Sequence, residues 1–232
     1  MAKEIVSPDI TRLLSKSLLF GVLDESARRE LTSHVHRKTF NSGEPIFHVN
    51  DPGQSMMVVL VGTVRVSLPG PRGKGVILAD LGAGELLGEV ALLDGRERSA
   101  EVTALTKCEL LVLERRDVVG FLEKRADVCL KLLELVCTKV RKSDQRMSDI
   151  AFLELAERLA KVLMDRIGPA TRADVKPKLS LSQTELAGMI NATRESVNRC
   201  LQNWQRQGII DLDERWIIVQ RRDALAAIAG HP

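Results

Sequence analysis

The chain has 232 residues, room for one large domain or two modest ones, and its 44% hydrophobic content suits packed cores rather than disorder. Its formal charge of +3 is too mild to announce a nucleic-acid partner by composition, so any basic surface must be local. No apolar run approaches the roughly 20 residues that span a bilayer, and MAKEIVSPDI lacks the apolar stretch of a secretory signal, so a cytoplasmic protein with no membrane partner is expected.

Two short helices are predicted first, over residues 9–18 and 24–34. From about residue 35 to 113 the chain runs as short β-rich segments, at 56–61, 63–68, 75–81, 100–104 and 109–113, broken by glycine and proline turns. Strands at this spacing argue for an antiparallel sandwich or barrel.

One stretch inside this half, GAGELLGEVALLDGRERSAEV, departs from strand alternation and reads as an anion-binding loop. Arg98 offers a planar fork of donors to a phosphate, Ser99 adds a hydroxyl, and backbone amides near Ala100 complete a cradle. Glu89, after Gly88, is acceptor-only when ionised, which suits a ribose hydroxyl and repels a phosphate. The pair points to a nucleotide carrying one phosphate; the alternative is a Glu89–Arg98 ion pair inside the barrel with no ligand.

After Arg115 the period changes. Cys129, Leu133, Val136, Val140, Ser143, Met147 and Ile150 recur at alternating spacings of four and three, a heptad seam with Arg141, Lys142 and Arg146 lying off it. Such a seam needs a partner, either the same helix of a second copy or the protein's own sheet. Ser143 is the polar member; its hydroxyl can meet a base edge or a backbone carbonyl one turn earlier. Residues 152–167 are predicted to continue helical, and GPATRADVKPK follows as a loop.

In LSLSQTELAGMINATRESVNRCLQNWQRQGII, Ser182 and Glu185 form a capping box that starts one helix, and Asn191 marks a turn. Thr193 is the natural N-cap of the next helix, whose Val197, Leu201 and Trp204 make a buried stripe. The opposite face presents Arg194, Glu195, Asn198 and Arg199 in its first turns, where a major-groove helix meets base edges. Arg pairs bidentately with guanine and Glu accepts from cytosine, although an ordinary solvated helix face carries such charges too. Residues 209–212 and 216–219, separated by Asp213, Glu214 and Arg215, read as a two-stranded wing.

Cys108, Cys129, Cys137 and Cys200 show no metal-ligand spacing and no terminal cluster, which argues against an iron–sulfur sensor, and reduced thiols are expected. With neither a metal site nor an activated nucleophile in view, no catalytic residue is assigned and the chain is not read as an enzyme.

Taken together, GELLGEVALLDGRERSAEV, IAFLELAERLAKVL and ATRESVNRCL resemble segments of the Crp/Fnr family of bacterial transcription regulators, and in particular its cyclic-AMP receptor branch. The resemblance runs from about Leu14 to Val219. It implies an α+β protein: a β jelly-roll cyclic-nucleotide sensor at 1–125, a dimerisation helix at 126–151 and a winged helix-turn-helix at 152–232.

By the same resemblance, Gly88 and Glu89 hold the ribose, with Val90 and Ala91 beside them, and Arg98, Ser99 and Ala100 hold the cyclic phosphate. Ser143, with Asp144 of a second copy, falls at the purine. Arg194, Glu195 and Arg199 match base-reading positions, implying a homodimer on a palindromic, TGTGA-like double-stranded site. Ser182 and Gln183 match phosphate contacts, with Thr193, Ser196 and Asn198 completing the interface. RNA polymerase is a further implied partner.

Three departures qualify the carry-over. Ser143 and Asp144 stand where the cyclic-AMP receptor has threonine then serine. Asp144 can accept from the amine of adenine or from guanine N1 and N2, and Ser99 can reach a syn guanine, so the effector is cyclic AMP or cyclic GMP. The loop at 168–178 differs from the polymerase-contacting surface of that branch, and the cassette is one residue shorter between Glu89 and Arg98.

Overall fold

The computed structural model describes residues 21, 23–70, 75–168, 176–213 and 216–230. The helix predicted at 9–18 and most of the loop predicted at 168–178 lie outside the described residues. The chain forms two compact units, the first ending at Arg141 and the second taking up from Lys142.

In the first unit, α1 (Glu25–Thr32) starts where Asp24 accepts a hydrogen bond from the Ala27 amide at 2.7 Å. Eight strands follow: β1 (His36–Phe40), β2 (Pro45–Phe47), β3 (Ser55–Val61), β4 (Val64–Leu68), β5 (Val76–Leu81), β6 (Leu86–Leu87), β7 (Glu101–Ala104) and β8 (Cys108–Glu114). They make two four-stranded sheets of order β1-β8-β3-β6 and β2-β7-β4-β5, a jelly-roll sandwich. Between β6 and β7 lies a short helix, α2 (Glu89–Asp94), and after β8 come α3 (Arg115–Leu122) and α4 (Ala126–Phe152).

The two central strands explain why their sequences are nearly all apolar. Met57 and Val59 of β3, with Cys108, Leu110 and Val112 of β8, pack towards Val64, Val102 and Ala104 of the facing sheet. Met56, Val58 and Leu60, with Leu111 and Leu113, point the other way and meet Leu31, Val118, Phe121, Val128 and Leu132 from the helices. Side chains alternate along a strand, so covering both faces demands an apolar residue at every position.

This layer also settles how the long helix uses its faces. The contact with the sheet is made by Val128, Leu132 and Leu135, none of them on the predicted seam. Of the seam, Leu133, Val140, Met147 and Ile150 are exposed, Leu133 at 59% and Met147 at 68%. The helix therefore lies on its own sheet with one stripe and leaves most of the heptad stripe uncovered.

The second unit holds the last turns of α4, then α5 (Leu155–Ile167), β9 (Lys178–Leu179), α6 (Gln183–Ile190), α7 (Arg194–Arg206), β10 (Ile210–Asp213), β11 (Trp216–Val219) and α8 (Arg222–Ile228). The helix predicted to run through 152–167 is broken: α4 stops at Phe152 and α5 begins at Leu155. Glu157 accepts from the Glu154 amide at 2.7 Å, and Arg158 donates to the Leu153 carbonyl at 2.7 Å, so the break is stabilised by side chains one turn on.

The wing also differs from its prediction. It has three strands, in the order β10-β11-β9, because Lys178 and Leu179 at the end of the predicted loop pair with β11. Leu159, Leu163, Leu186, Val197, Leu201, Trp204 and Ile217 form the core beneath it.

Candidate ligand cassette and nucleic-acid interface

The cassette is a helix where a loop was expected. Gly88 takes φ +76° and Gly95 φ +72°, and between these two left-handed residues the chain makes the single short helix α2. A Cβ at Gly88 would also lie 2.5 Å from Arg98 Nη1, so a side chain at this position would displace the guanidinium.

Two ionisable residues of this cassette are buried, Glu89 at 2% exposure and Arg98 at 4%. Buried charges need partners, and the partners are not each other. Glu89 accepts from Lys139 Nζ of α4 at 2.6 Å. Arg98 donates from Nη1 to the Gly88 carbonyl and from Nη2 to Ser55 Oγ, each at 3.0 Å, and its Cζ lies 4.3 Å from the centre of the Phe47 ring. The direct Glu89–Arg98 ion pair expected as the ligand-free alternative does not form.

One polar atom is left over. Arg98 Nε is buried and has no hydrogen-bond partner among the described residues. Burial pushes the guanidinium below its ordinary pKa, against the opposing pull of Asp51, Glu89 and Glu114. An arginine stays charged under any such shift, so the site holds a desolvated cation with an unanswered donor, the condition that favours an anion.

Of the other predicted residues, Ala91 and Ala100 are buried, while Val90 and Ser99 are exposed beside them. Ser143 and Asp144 are exposed on α4 in the second unit. Lys139, Ser55 and Phe47 escaped the sequence reading. Lys139 had a signal, since it precedes Ser143 by four residues and shares its helix face. Ser55 and Phe47 had none, because only strand pairing brings them to Arg98.

The reader is built from local chemistry. Ser182 Oγ accepts from the Glu185 amide at 3.2 Å while Glu185 accepts from the Ser182 amide at 2.9 Å, the predicted capping box. Asn191 adopts the left-handed conformation, φ +52°, that ends α6, and Thr193 Oγ1 accepts from the Ser196 amide at 3.2 Å to start α7.

Arg194, Glu195 and Arg199 are exposed on the first turns of α7. Asn198 differs from them: it is half-buried and accepts from Gln183 Nε2 at 3.0 Å, which ties α7 to the start of α6. Ser196 is also half-buried, and its hydroxyl accepts from the Thr193 hydroxyl at 3.0 Å.

Among the described residues no group of three or more His, Cys, Asp or Glu could hold a metal ion, and no helix is long and apolar enough to cross a membrane.

Comparison with known proteins agrees with both halves. Residues 37–125 match the cyclic nucleotide-binding domain, and residues 157–228 match the Crp-like helix-turn-helix domain. The cyclic AMP receptor protein of Thermus thermophilus is 32% identical over 212 residues, which is 91% of this chain and 96% of that protein. The chain belongs to the Crp/Fnr family.

Another Crp/Fnr relative, the CRP-like cAMP-activated global transcriptional regulator of Mycobacterium tuberculosis, is 24% identical over 92% of this chain and 97% of its own. The solved structure of the c-di-GMP responsive global regulator CLP of Xanthomonas campestris shares the fold, with a TM-score of 0.76 at 21% identity over 84% of this chain and 99% of that one. A β-rich cyclic-nucleotide-binding domain, a long helix and a helix-turn-helix domain make this a Crp-type transcription regulator.

Proposed function

We propose that the chain is a cyclic-nucleotide-responsive transcription factor that binds a palindromic, TGTGA-like DNA site as a homodimer, with cyclic AMP or cyclic GMP as its effector. The observation that carries this reading is the buried Arg98 with its unanswered Nε. A cyclic phosphate answers that donor, with Ser99 and Ala100 alongside. Glu89 and Gly88 take the ribose, Val90 and Ala91 shape the wall, and Ser143 with Asp144 meets the purine. The relatives named for cyclic AMP support the effector class.

The exposed stripe of Leu133, Val140, Met147 and Ile150 supports pairing of two copies through α4, the dimerisation helix at 126–151 between a sensor at 1–125 and a reader at 152–232. Pairing sets two recognition helices about 34 Å apart, one turn of DNA, and the ligand biases the pair towards that spacing. Arg194, Glu195 and Arg199 read bases. Ser182, Gln183 and Thr193 approach phosphates, while Asn198 and Ser196 hold the reading helix in place. RNA polymerase is the expected further partner, in the cytoplasm.

The test is operator affinity at fixed salt, with and without cyclic AMP or cyclic GMP, beside calorimetric titration of each nucleotide. Heat of binding together with tighter operator binding supports the proposal. Binding of DNA that ignores both nucleotides sinks it. A second reading, a Crp/Fnr regulator that needs no cyclic nucleotide, is favoured by the 2.6 Å Lys139–Glu89 contact, in which the carboxylate is already answered from within the chain. Absence of heat up to hundreds of micromolar nucleotide, on the order of −5 kcal/mol of binding free energy, selects that reading.

A further inference from the structure

Arg98 carries the phosphate reading, and its pose is set by a neighbouring segment to which no role has been given. The loop after β2 grips Arg98 by its backbone on both sides: its amide donates to the Asp51 carbonyl at 2.8 Å, and its carbonyl accepts from the Asn50 amide at 2.9 Å. The same segment contributes Phe47 at one end, under the guanidinium, and Ser55 at the other, on Nη2. Between them Gly53 leaves no room for a side chain, since a Cβ would lie 2.3 Å from the Arg96 carbonyl and 2.4 Å from Ala91 Cβ. The pairing of β2 with β7 shifts register between Pro45 and Phe47, and such an irregularity re-aims the side chain beside it.

A guanidinium has five N–H groups in one plane. Two are taken by Gly88 and Ser55, the central carbon lies 4.3 Å from the centre of the Phe47 ring, and Nε has no partner among the described residues. We infer that Phe47 and Ser55 are positioning residues for the anion. Phe47 fixes the tilt of the guanidinium plane, and Ser55 fixes its rotation within that plane. Together they aim a side-on fork at one of the two exocyclic oxygens of a cyclic phosphate in preference to the other. This rests on the proposed function and names how the same site selects its phosphate.

The two exocyclic oxygens are distinguished by the Sp and Rp phosphorothioates of cyclic AMP, each with sulfur in place of one of them. The experiment measures, by calorimetry, the affinities of full-length protein for cyclic AMP and for both phosphorothioates. In the unsubstituted protein the two analogues are expected to bind unequally. Phe47→Leu should weaken cyclic AMP binding about tenfold and Ser55→Ala about threefold, and both should bring the Sp/Rp ratio towards one. Phe47→Tyr and Ser55→Thr, which keep the ring and the hydroxyl, should preserve the ratio.

A ratio unchanged in both Phe47→Leu and Ser55→Ala overturns the inference, even if affinity falls, because loosened packing lowers affinity for both analogues alike. So does a ratio near one in the unsubstituted protein. The Arg98→Leu variant separates this inference from its premise. If Arg98→Leu leaves cyclic AMP affinity unchanged, the proposed function itself fails. If it abolishes binding while the ratio stays fixed in the other variants, only the positioning role falls.

Discussion

The molecule uses glutamate and arginine twice, in opposite ways. In the cassette, Glu89 and Arg98 are withdrawn from water, and their partners come from far along the chain: Lys139 lies 50 residues from Glu89, and Ser55 lies 43 from Arg98. In the reader, Arg194, Glu195 and Arg199 remain in solvent, and their scaffold is a pair of caps within three residues of the charges or of the preceding helix start. A buried charge is costly unless every donor and acceptor is met, whereas an exposed one costs little. In the proposed roles, the cassette holds a cation already withdrawn from water for a small anion, while the helix face need only hold its side chains at the right pitch for a groove.

The contrast predicts a graded series of losses. Arg98→Leu is expected to have the largest effect, weakening cyclic-nucleotide binding at least about 100-fold, since two charge-assisted hydrogen bonds at about 1.5 to 3 kcal/mol each disappear. Calorimetry beside circular dichroism checks it, and affinity within threefold of the unsubstituted protein would show that this cation serves the fold and not a ligand.

Leu201→Ala, in the core beneath the reader, should cost about 2 to 5 kcal/mol in the unfolding of the C-terminal unit. Denaturant unfolding followed with nucleotide binding as a second probe tests whether the cassette survives. Coincident loss of both signals would erase the distinction between the two regions.

Arg194→Ala should cost about 1 to 3 kcal/mol on a specific operator and relax its sequence preference. Competition between specific and random DNA is the measurement, and an equal loss on both would demote Arg194 to a phosphate contact. Ser182→Ala, which removes one cap, should lower the stability of the C-terminal unit by only about 1 kcal/mol and leave the sequence preference alone. A change in preference there would mean that Ser182 reaches a base edge and not only a phosphate.

The same contrast explains what could be read in advance. The caps at Ser182 and Thr193 were legible because a cap is written within three residues. Glu89 and Arg98 were legible as residue types, but their partners were not, since the approach of Ser55 and Lys139 depends on strand register and helix placement. The cassette helix is not legible in the sequence, because six residues between two glycines carry too little periodicity to set a helix apart from a loop.

The break at Leu153 was missed for another reason. Its N-cap is Glu154, outside the usual Ser, Thr, Asp and Asn set, in a run that looks uniformly helical. Strand β1 escaped because His36, Arg37, Lys38 and Thr39 are all exposed on an edge strand, so alternation never showed.

The long helix α4, 27 residues from end to end, carries its two apolar stripes on one continuous backbone. Val128, Leu132 and Leu135 are clamped into the sheet, which fixes the angular phase of the exposed Leu133 and Val140 on the same stretch of helix. One residue inserted after Leu135 turns the remainder by about 100°, whereas four turn it by only about 40° beyond a full circle. The core of the first unit thus acts as a dial stop: a change in the packing of Val128, Leu132 and Leu135 resets the compass bearing of Leu133 and Val140, with no change to those two side chains themselves.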